Sequence, residues 1–96
     1  MTFIQIVEIR TDKMDEMRKL DEEWERVTEG KRTARRSIIT SDRNDPNRHL
    51  VMVFFDSYED AMMNSNMPET QEFAAREAKI ADSISFHDLD VVVDRG

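Results

Sequence analysis

The sequence predicts one α+β domain over residues 1–96, of the ferredoxin-like type, in which an antiparallel four-stranded sheet carries helices on one face. Three observations support this prediction: a length that suits one small domain, the segment order β-α-β-β-α-β, and strands that are apolar on both faces. Because helices would cover only one face, a second copy of the chain is the simplest cover for the other.

The first strand and helix are predicted from residue type and spacing. The run from Phe3 to Ile9 is rich in β-branched and aromatic residues, which is typical of a strand. Asp12 fits the N-cap of an amphipathic helix within Lys13 to Glu29, where apolar residues recur every three or four positions. Gly30 fits the end of that helix, since glycine favours the backbone that closes helices.

A hairpin is predicted next. Thr33 to Ser41 and His49 to Phe55 read as its two strands, and the second alternates apolar residues on both faces. Residues 42–48 are dense in turn formers and predict a loop longer than the ideal two-residue turn.

The last third predicts two helices and a strand. Ser57 fits the N-cap of a short helix from Tyr58 to about Asn64. Asn66 fits the N-cap of a second helix, Met67 to Ala81, with a proline in its first turn. Ile84 to Val93 completes the sheet as the final strand.

Composition excludes several classes of function. The net charge of −7 disfavours nucleic acid as a partner. The chain has no cysteine, which excludes disulfides and thiolate metal sites and fits a cytoplasmic location. No signal peptide or membrane-length apolar run is present, so no membrane partner is expected. No metal site is predicted, because the histidine and aspartate spacing in the last strand is a weak signal.

Two stretches carry a resemblance to a known family: FFDSYEDAMMNSNMPETQEFA, residues 54–74, and FHDLDV, residues 86–91. With the element order, they resemble the dimeric α+β barrel superfamily, especially its branch related to antibiotic-biosynthesis monooxygenases. The resemblance implies a homodimer in which two sheets pack face to face. It also implies a ligand pocket between sheet and helices near the helical break, and oxidation of an aromatic substrate with no bound cofactor.

The residues expected around that pocket are mostly apolar or amide side chains. We predict that the ligand contacts Gln5, Trp24, Phe54, Met63, Asn64, Met67 and Phe73. Asparagine amides could donate hydrogen bonds and methionines could form an adaptable wall. The alternative is that the asparagines cap a helix and the methionines fill the core. Gln5 could equally bond a ligand or a neighbouring side chain.

His87 is the predicted catalytic base, because neutral imidazole accepts protons near pH 7. Strand alternation puts Asp88 on the opposite face from His87, so an adjacent His–Asp dyad is not expected. The competing interpretation is a surface or interface histidine.

Three functional hypotheses follow. The leading one is a small-molecule-binding protein that resembles antibiotic-biosynthesis monooxygenases and oxidises an aromatic substrate without a cofactor. The first alternative is a non-catalytic dimeric binding or structural module, which a filled gap between helices and sheet and an internally bonded Gln5 would favour. The second is a haem-binding or haem-degrading relative, although Met67 to Asp82 contains no histidine to bind iron.

Overall fold

The computed structural model describes residues 2–96 and contains one four-stranded antiparallel sheet with order β2-β3-β1-β4. Its elements are β1 (Phe3–Arg10), α1 (Met14–Val27), β2 (Arg36–Asp42), β3 (Asp45–Phe55), α2 (Tyr58–Asn66), α3 (Pro68–Ile80) and β4 (Ser83–Asp90). The order is β-α-β-β-α-α-β, in which α2 and α3 together form the second helical unit. The predicted ferredoxin-like α+β fold is confirmed.

The start of α1 differs from the prediction. Asp12 is not its N-cap; Lys13 occupies that position and makes no side-chain capping bond. The buried Thr11 provides the local hydrogen bond instead, because its Oγ1 accepts from the backbone N–H of Lys13 at 3.0 Å. At the other end, Thr28 is the C-cap and Gly30, two residues later, has a φ of 80°, which only glycine adopts without strain.

The hairpin between β2 and β3 is tighter than predicted. Asp42 pairs with Asp45, which leaves two residues in the turn rather than a loop over 42–48. The Asp42 carboxylate accepts a hydrogen bond from the N–H of Asn44 at 2.8 Å, so the aspartate side chain supplies the turn contact. Pro46 has no backbone N–H to donate to a neighbouring strand. It is tolerated within β3 because β1 pairs with β3 only from Arg48 onward.

The break between α2 and α3 is a helix restart, but its geometry differs from the prediction. Ser57 caps α2 as predicted, accepting from the N–H of Asp60 at 3.0 Å. Asn66 is the last residue of α2, not the cap of α3; Met67 is the junction, with φ −62° and ψ 135°. Pro68 causes this, because proline disfavours helical backbone at the residue before it. Among the helices of residues 2–96, none has the length and apolar character needed to cross a membrane.

The last strand ends three residues earlier than predicted. β4 stops at Asp90, which pairs with Phe3, the first residue of β1. Beyond that point the N–H of Val91 donates to the carbonyl of Thr2 at 3.1 Å, and Val92 and Val93 are exposed.

The two faces of the sheet have different environments. Directly opposite residues in antiparallel strands share a face, so the register assigns Phe3 and Phe55 to the helix side, where they form a core cluster with Ala61 of α2. The open face, as we call the other side, carries the apolar residues Ile4, Ile6, Ile38, Leu50, Met52, Phe54 and Leu89. None of these seven side chains is buried.

Candidate functional site

A cavity of about 550 Å³ lies between the sheet and the helices α1 and α3. This volume falls within the range of about 300–1,000 Å³ that small-molecule sites occupy. Exposed residues such as Phe86 and Gln71 belong to its wall, so the cavity opens to solvent.

The floor of the cavity is apolar because of strand alternation. Every second residue of the two central strands faces the helices, and these residues include Val7, Ile9, Val51, Val53 and Phe55. The helices add Met14 and Met17 from α1 and Phe73 from α3. A ligand therefore meets mainly hydrocarbon and aromatic surface.

Trp24 forms part of the wall where α1 approaches α3. Its indole Nε1–H donates to Thr70 Oγ1 at 3.0 Å, which joins the two helices and fixes the plane of the ring. The guanidinium of Arg32 lies 6.0 Å from the centroid of the same ring. Trp24 is thus a rigid aromatic surface rather than a free side chain.

Three amides reach the cavity, namely Asn64, Gln5 and the exposed Gln71. Asn64 is buried, with 7 % of its surface exposed, and its Oδ1 accepts from the N–H of Thr33 at 3.3 Å. Within residues 2–96 its Nδ2 donates no hydrogen bond, so a donor remains for a ligand. Gln5 is different, since its Nε2 donates to Asp88 Oδ1 across β1 and β4 at 3.1 Å.

Besides Glu25, two carboxylates line the cavity, Asp21 on α1 and Glu77 on α3. Burial raises the pKa of Glu77 to about 7, and the negative charge of Asp21 adds to the rise. Burial likewise raises the pKa of Asp21, with further contributions from Glu25 and Glu22 that Arg32 opposes. The cavity therefore holds a carboxyl group that changes charge near neutral pH.

Neither carboxylate was predicted from the sequence, although their spacing carried a signal. Asp21 follows Met17 by four residues and precedes Trp24 by three, so it belongs to the apolar face of α1. Glu77 follows the buried Phe73 by four residues on α3. An acidic residue at an apolar-stripe position is the pattern that could have identified them.

The predicted ligand-binding residues divide into two groups. Four of them line the cavity: Gln5, Trp24, Asn64 and Phe73. Phe54 does not, because it lies opposite Ile4 on the open face, and its neighbour Phe55 takes the place in the cavity. Met63 is on the exposed side of α2, and Met67 is taken up by the junction between helices, so neither lines the cavity.

His87 lies on the open face, away from the cavity, because it pairs with Ile6, which belongs to that face. Its Nε2 is 3.6 Å from Glu8 Oε1. The hydrogen bond from Arg48 is the largest cause that lowers the pKa of Glu8. Asp88 faces the cavity side with Gln5, so the register confirms that no adjacent His87–Asp88 dyad forms.

The second histidine, His49, is buried on the helix side of the sheet, with its Nδ1 2.9 Å from Ser41 Oγ. Neither histidine lines the cavity. The cavity wall within residues 2–96 therefore offers no imidazole to a haem iron.

Solved structures with the same fold are similar over nearly the whole chain. One is a protein of Nitrosomonas europaea with the provisional name antibiotic biosynthesis monooxygenase, at 14% identity and TM-score 0.79, covering 99% of this chain and 94% of that chain. A second, from Chloroflexus aurantiacus and with the same provisional name, has 17% identity and TM-score 0.76, covering 100% and 98%. A third is a variant of SnoaB, a cofactor-independent oxygenase from Streptomyces nogalater, with 6% identity and TM-score 0.83, covering 97% and 95%.

No protein-family model matches the sequence, and no curated protein matches it either. At identities this low, the structural similarity establishes the fold and not the activity. The predicted resemblance to antibiotic-biosynthesis-monooxygenase-like proteins is confirmed at that level: this chain has their ferredoxin-like α+β fold.

Proposed function

We propose that this chain forms a homodimer through its open face, binds a small aromatic molecule in the helix–sheet cavity and oxidises it with molecular oxygen without a bound cofactor. The observation that carries the proposal is the cavity itself, a space of about 550 Å³ with a mainly apolar surface and with polar and charged side chains in its wall. One structural neighbour, SnoaB, is a cofactor-independent oxygenase, and this supports the choice of reaction.

The chemistry of the wall suits a flat, weakly polar ring. Trp24, Phe55 and Phe73 offer aromatic surface, against which rings stack favourably. Asn64 has an amide donor available for a hydroxyl or its phenolate oxygen. In such a reaction the protein removes water and orients a phenolate, and the phenolate itself passes an electron to oxygen.

The role of His87 as the catalytic base remains a prediction. His87 and the cavity lie on opposite faces of the sheet, so a proton from a ligand in this cavity would have to cross the sheet to reach it. The position of His87 on the open face favours a role at the proposed dimer interface, beside Glu8.

The proposed homodimer follows from the open face. Seven apolar side chains stand on that face without cover from the chain's own helices, and leaving them in water costs free energy. A second copy can cover them by an isologous contact. We further infer a cytoplasmic location from the absence of cysteine, and no nucleic-acid partner from the net charge of −7.

The alternative of a non-catalytic module has one observation in its favour, the internal hydrogen bond of Gln5 to Asp88. The open volume argues against it, because a purely structural domain is expected to fill this gap. The module and the oxygenase differ in whether oxygen is consumed after binding, and this difference decides the design of the test.

The test combines a thermal-shift panel with oxygen uptake. The panel contains 2-naphthol and related phenols, haem, flavin and fatty acids. A saturable rise in Tm with the phenols, followed by oxygen uptake, is the expected result. Binding of phenols without uptake would favour the non-catalytic module, and a Soret band on haem addition would favour the haem alternative.

A pair of variants on α3 localises the binding. Ala74→Trp introduces a large side chain into the cavity wall and should abolish the Tm rise. Ala75→Trp is the matched control, because Ala75 is exposed on the same helix and does not line the cavity. An equal Tm rise in both variants would mean that the phenols bind elsewhere.

A further inference from the structure

We propose that Glu77 is the base that accepts the proton of the substrate hydroxyl in the cavity, that Asp21 acts through Glu77 as a positioning residue, and that the substrate is therefore a weakly acidic phenol or enol. The inference rests on the proposed function, since it concerns the same cavity. It is based on the positions of Asp21 and Glu77, which both lie in the cavity wall but on two different helices.

Neither carboxylate has a partner that would occupy its oxygens. Throughout residues 2–96, no ion pair or side-chain hydrogen bond is formed by Asp21 or Glu77, although lysines and arginines form eight ion pairs with other carboxylates. A half-buried carboxylate normally gains such partners, because leaving the charge unpaired is unfavourable. An unpaired carboxylate in a cavity wall is available to a ligand.

Among residues 2–96, none of the other charged groups around the cavity offsets the rise in the pKa of Glu77. They come from α1, from the connection between α1 and β2 and from the first residue of β2, and they are Arg18, Glu25, Arg32, Arg35 and Arg36. Arg32 pairs with Glu25 and Arg35 pairs with Asp56, so two of the four guanidiniums already have carboxylate partners. Arg36 lies over the Phe54 ring, on the open face. From the sheet, the cavity wall also contains Ser37 and Gln5, and Gln5 is already bonded to Asp88.

The proton transfer balances with the groups present. The substrate O–H bond breaks, its electron pair stays on the substrate oxygen, and the proton forms a bond to a Glu77 carboxylate oxygen. Glu77 changes from carboxylate to carboxylic acid and later returns the proton to solvent through the open side of the cavity. Because the pKa of Glu77 is raised to about 7, the carboxylate is a stronger base than an ordinary glutamate and is still half ionised near neutral pH.

This arrangement predicts a particular pH dependence of binding. A phenol O–H bonds more strongly to an ionised carboxylate than to a neutral carboxyl group, by about tenfold in affinity. The affinity for 2-naphthol should therefore rise about tenfold as pH increases through about 7, where Glu77 loses its proton. The affinity for 2-methoxynaphthalene, which has no O–H to donate, should not rise.

The experiment measures the Kd of 2-naphthol by titration calorimetry from about pH 5.5 to about pH 8.5, a window that brackets the ionisation of Glu77. Glu77→Gln should bind 2-naphthol with no rise across pH 7. Asp21→Asn should keep the rise but move its midpoint to lower pH, because the negative charge that disfavours ionisation of Glu77 is gone. Glu72→Gln, an exposed position on the same helix, is the matched control and should behave as the unaltered chain does.

The outcomes separate this inference from the proposed function. If 2-naphthol binds and the unaltered chain and Glu77→Gln show the same pH profile, the assignment of Glu77 is overturned while the aromatic cavity stands. If 2-naphthol does not bind at any pH to a chain that remains folded, the proposed function fails and the assignment fails with it. Melting curves of each variant establish that a lost response is not a lost fold.

Discussion

Replacing Glu77 with glutamine should make this protein more stable above neutral pH while leaving its stability at acid pH almost unchanged. Glutamine has nearly the same shape as protonated glutamic acid but never ionises. In the native chain, Glu77 is held in an apolar wall beside Asp21, and burial raises its pKa from 4.5 to about 7. The substitution therefore removes a charge that the folded state accommodates poorly.

The magnitude follows from the two pKa values. Between pH 4.5 and about 7 the unfolded chain has lost the Glu77 proton while the folded chain keeps it, so the stability of the native protein falls as pH rises through this window. Each pKa unit corresponds to about 1.4 kcal/mol, so the full effect above pH 7 is about 3 kcal/mol, and the openness of the cavity to solvent reduces it towards about 2 kcal/mol.

The assay is urea denaturation of both proteins at about pH 4 and about pH 8, on either side of that window. Both proteins are measured at one protomer concentration, because the proposed self-association would contribute to apparent stability. We expect Glu77→Gln to match the native chain at the lower pH and to exceed it by about 2 to 3 kcal/mol at the higher pH. Glu72→Gln, whose carboxylate is exposed and paired with Arg76, should show no such difference. A constant offset between Glu77→Gln and the native chain at every pH would refute the reasoning.

Three further predictions concern the fold and its assembly. Met52→Lys introduces a charge on the open face and should give a monomer in light scattering, because burying an unpaired charge in the interface costs about 3 kcal/mol or more. A variant that is still a dimer would contradict dimerisation through this face. Ser57→Ala removes the cap that accepts from Asp60 N–H and should lower the free energy of unfolding by about 1 kcal/mol in urea titrations. Gly30→Ala should lower the free energy of unfolding by about 1 kcal/mol although open space surrounds the new methyl group, because φ is 80° at this position. An unchanged Tm would show that the turn relaxes to accept the alanine.

The cavity could be predicted from the sequence only in part, and the reason differs from residue to residue. Trp24 and Phe73 were identified because they fall on apolar stripes of helical period, which local spacing reveals. Phe54 and Phe55 are indistinguishable by composition, because β3 is apolar on both faces and alternation alone does not say which face meets the helices. Met63 and Met67 could not be assigned without knowing the angle at which α3 restarts after Pro68.

By itself, the sequence determined the element order, the antiparallel sheet with two apolar faces and the restart of the helix, because these depend on residues close together in the chain. Helical and strand periods, the Ser57 cap and the backbone limits of Pro68 all act over a few residues. The tertiary structure decided which face encloses the cavity, and it brought Asp21 and Glu77 together although 56 positions (77 minus 21) separate them. The pKa of Glu77 depends on that packing, since burial and a neighbouring charge arise only when α1 and α3 meet above the sheet.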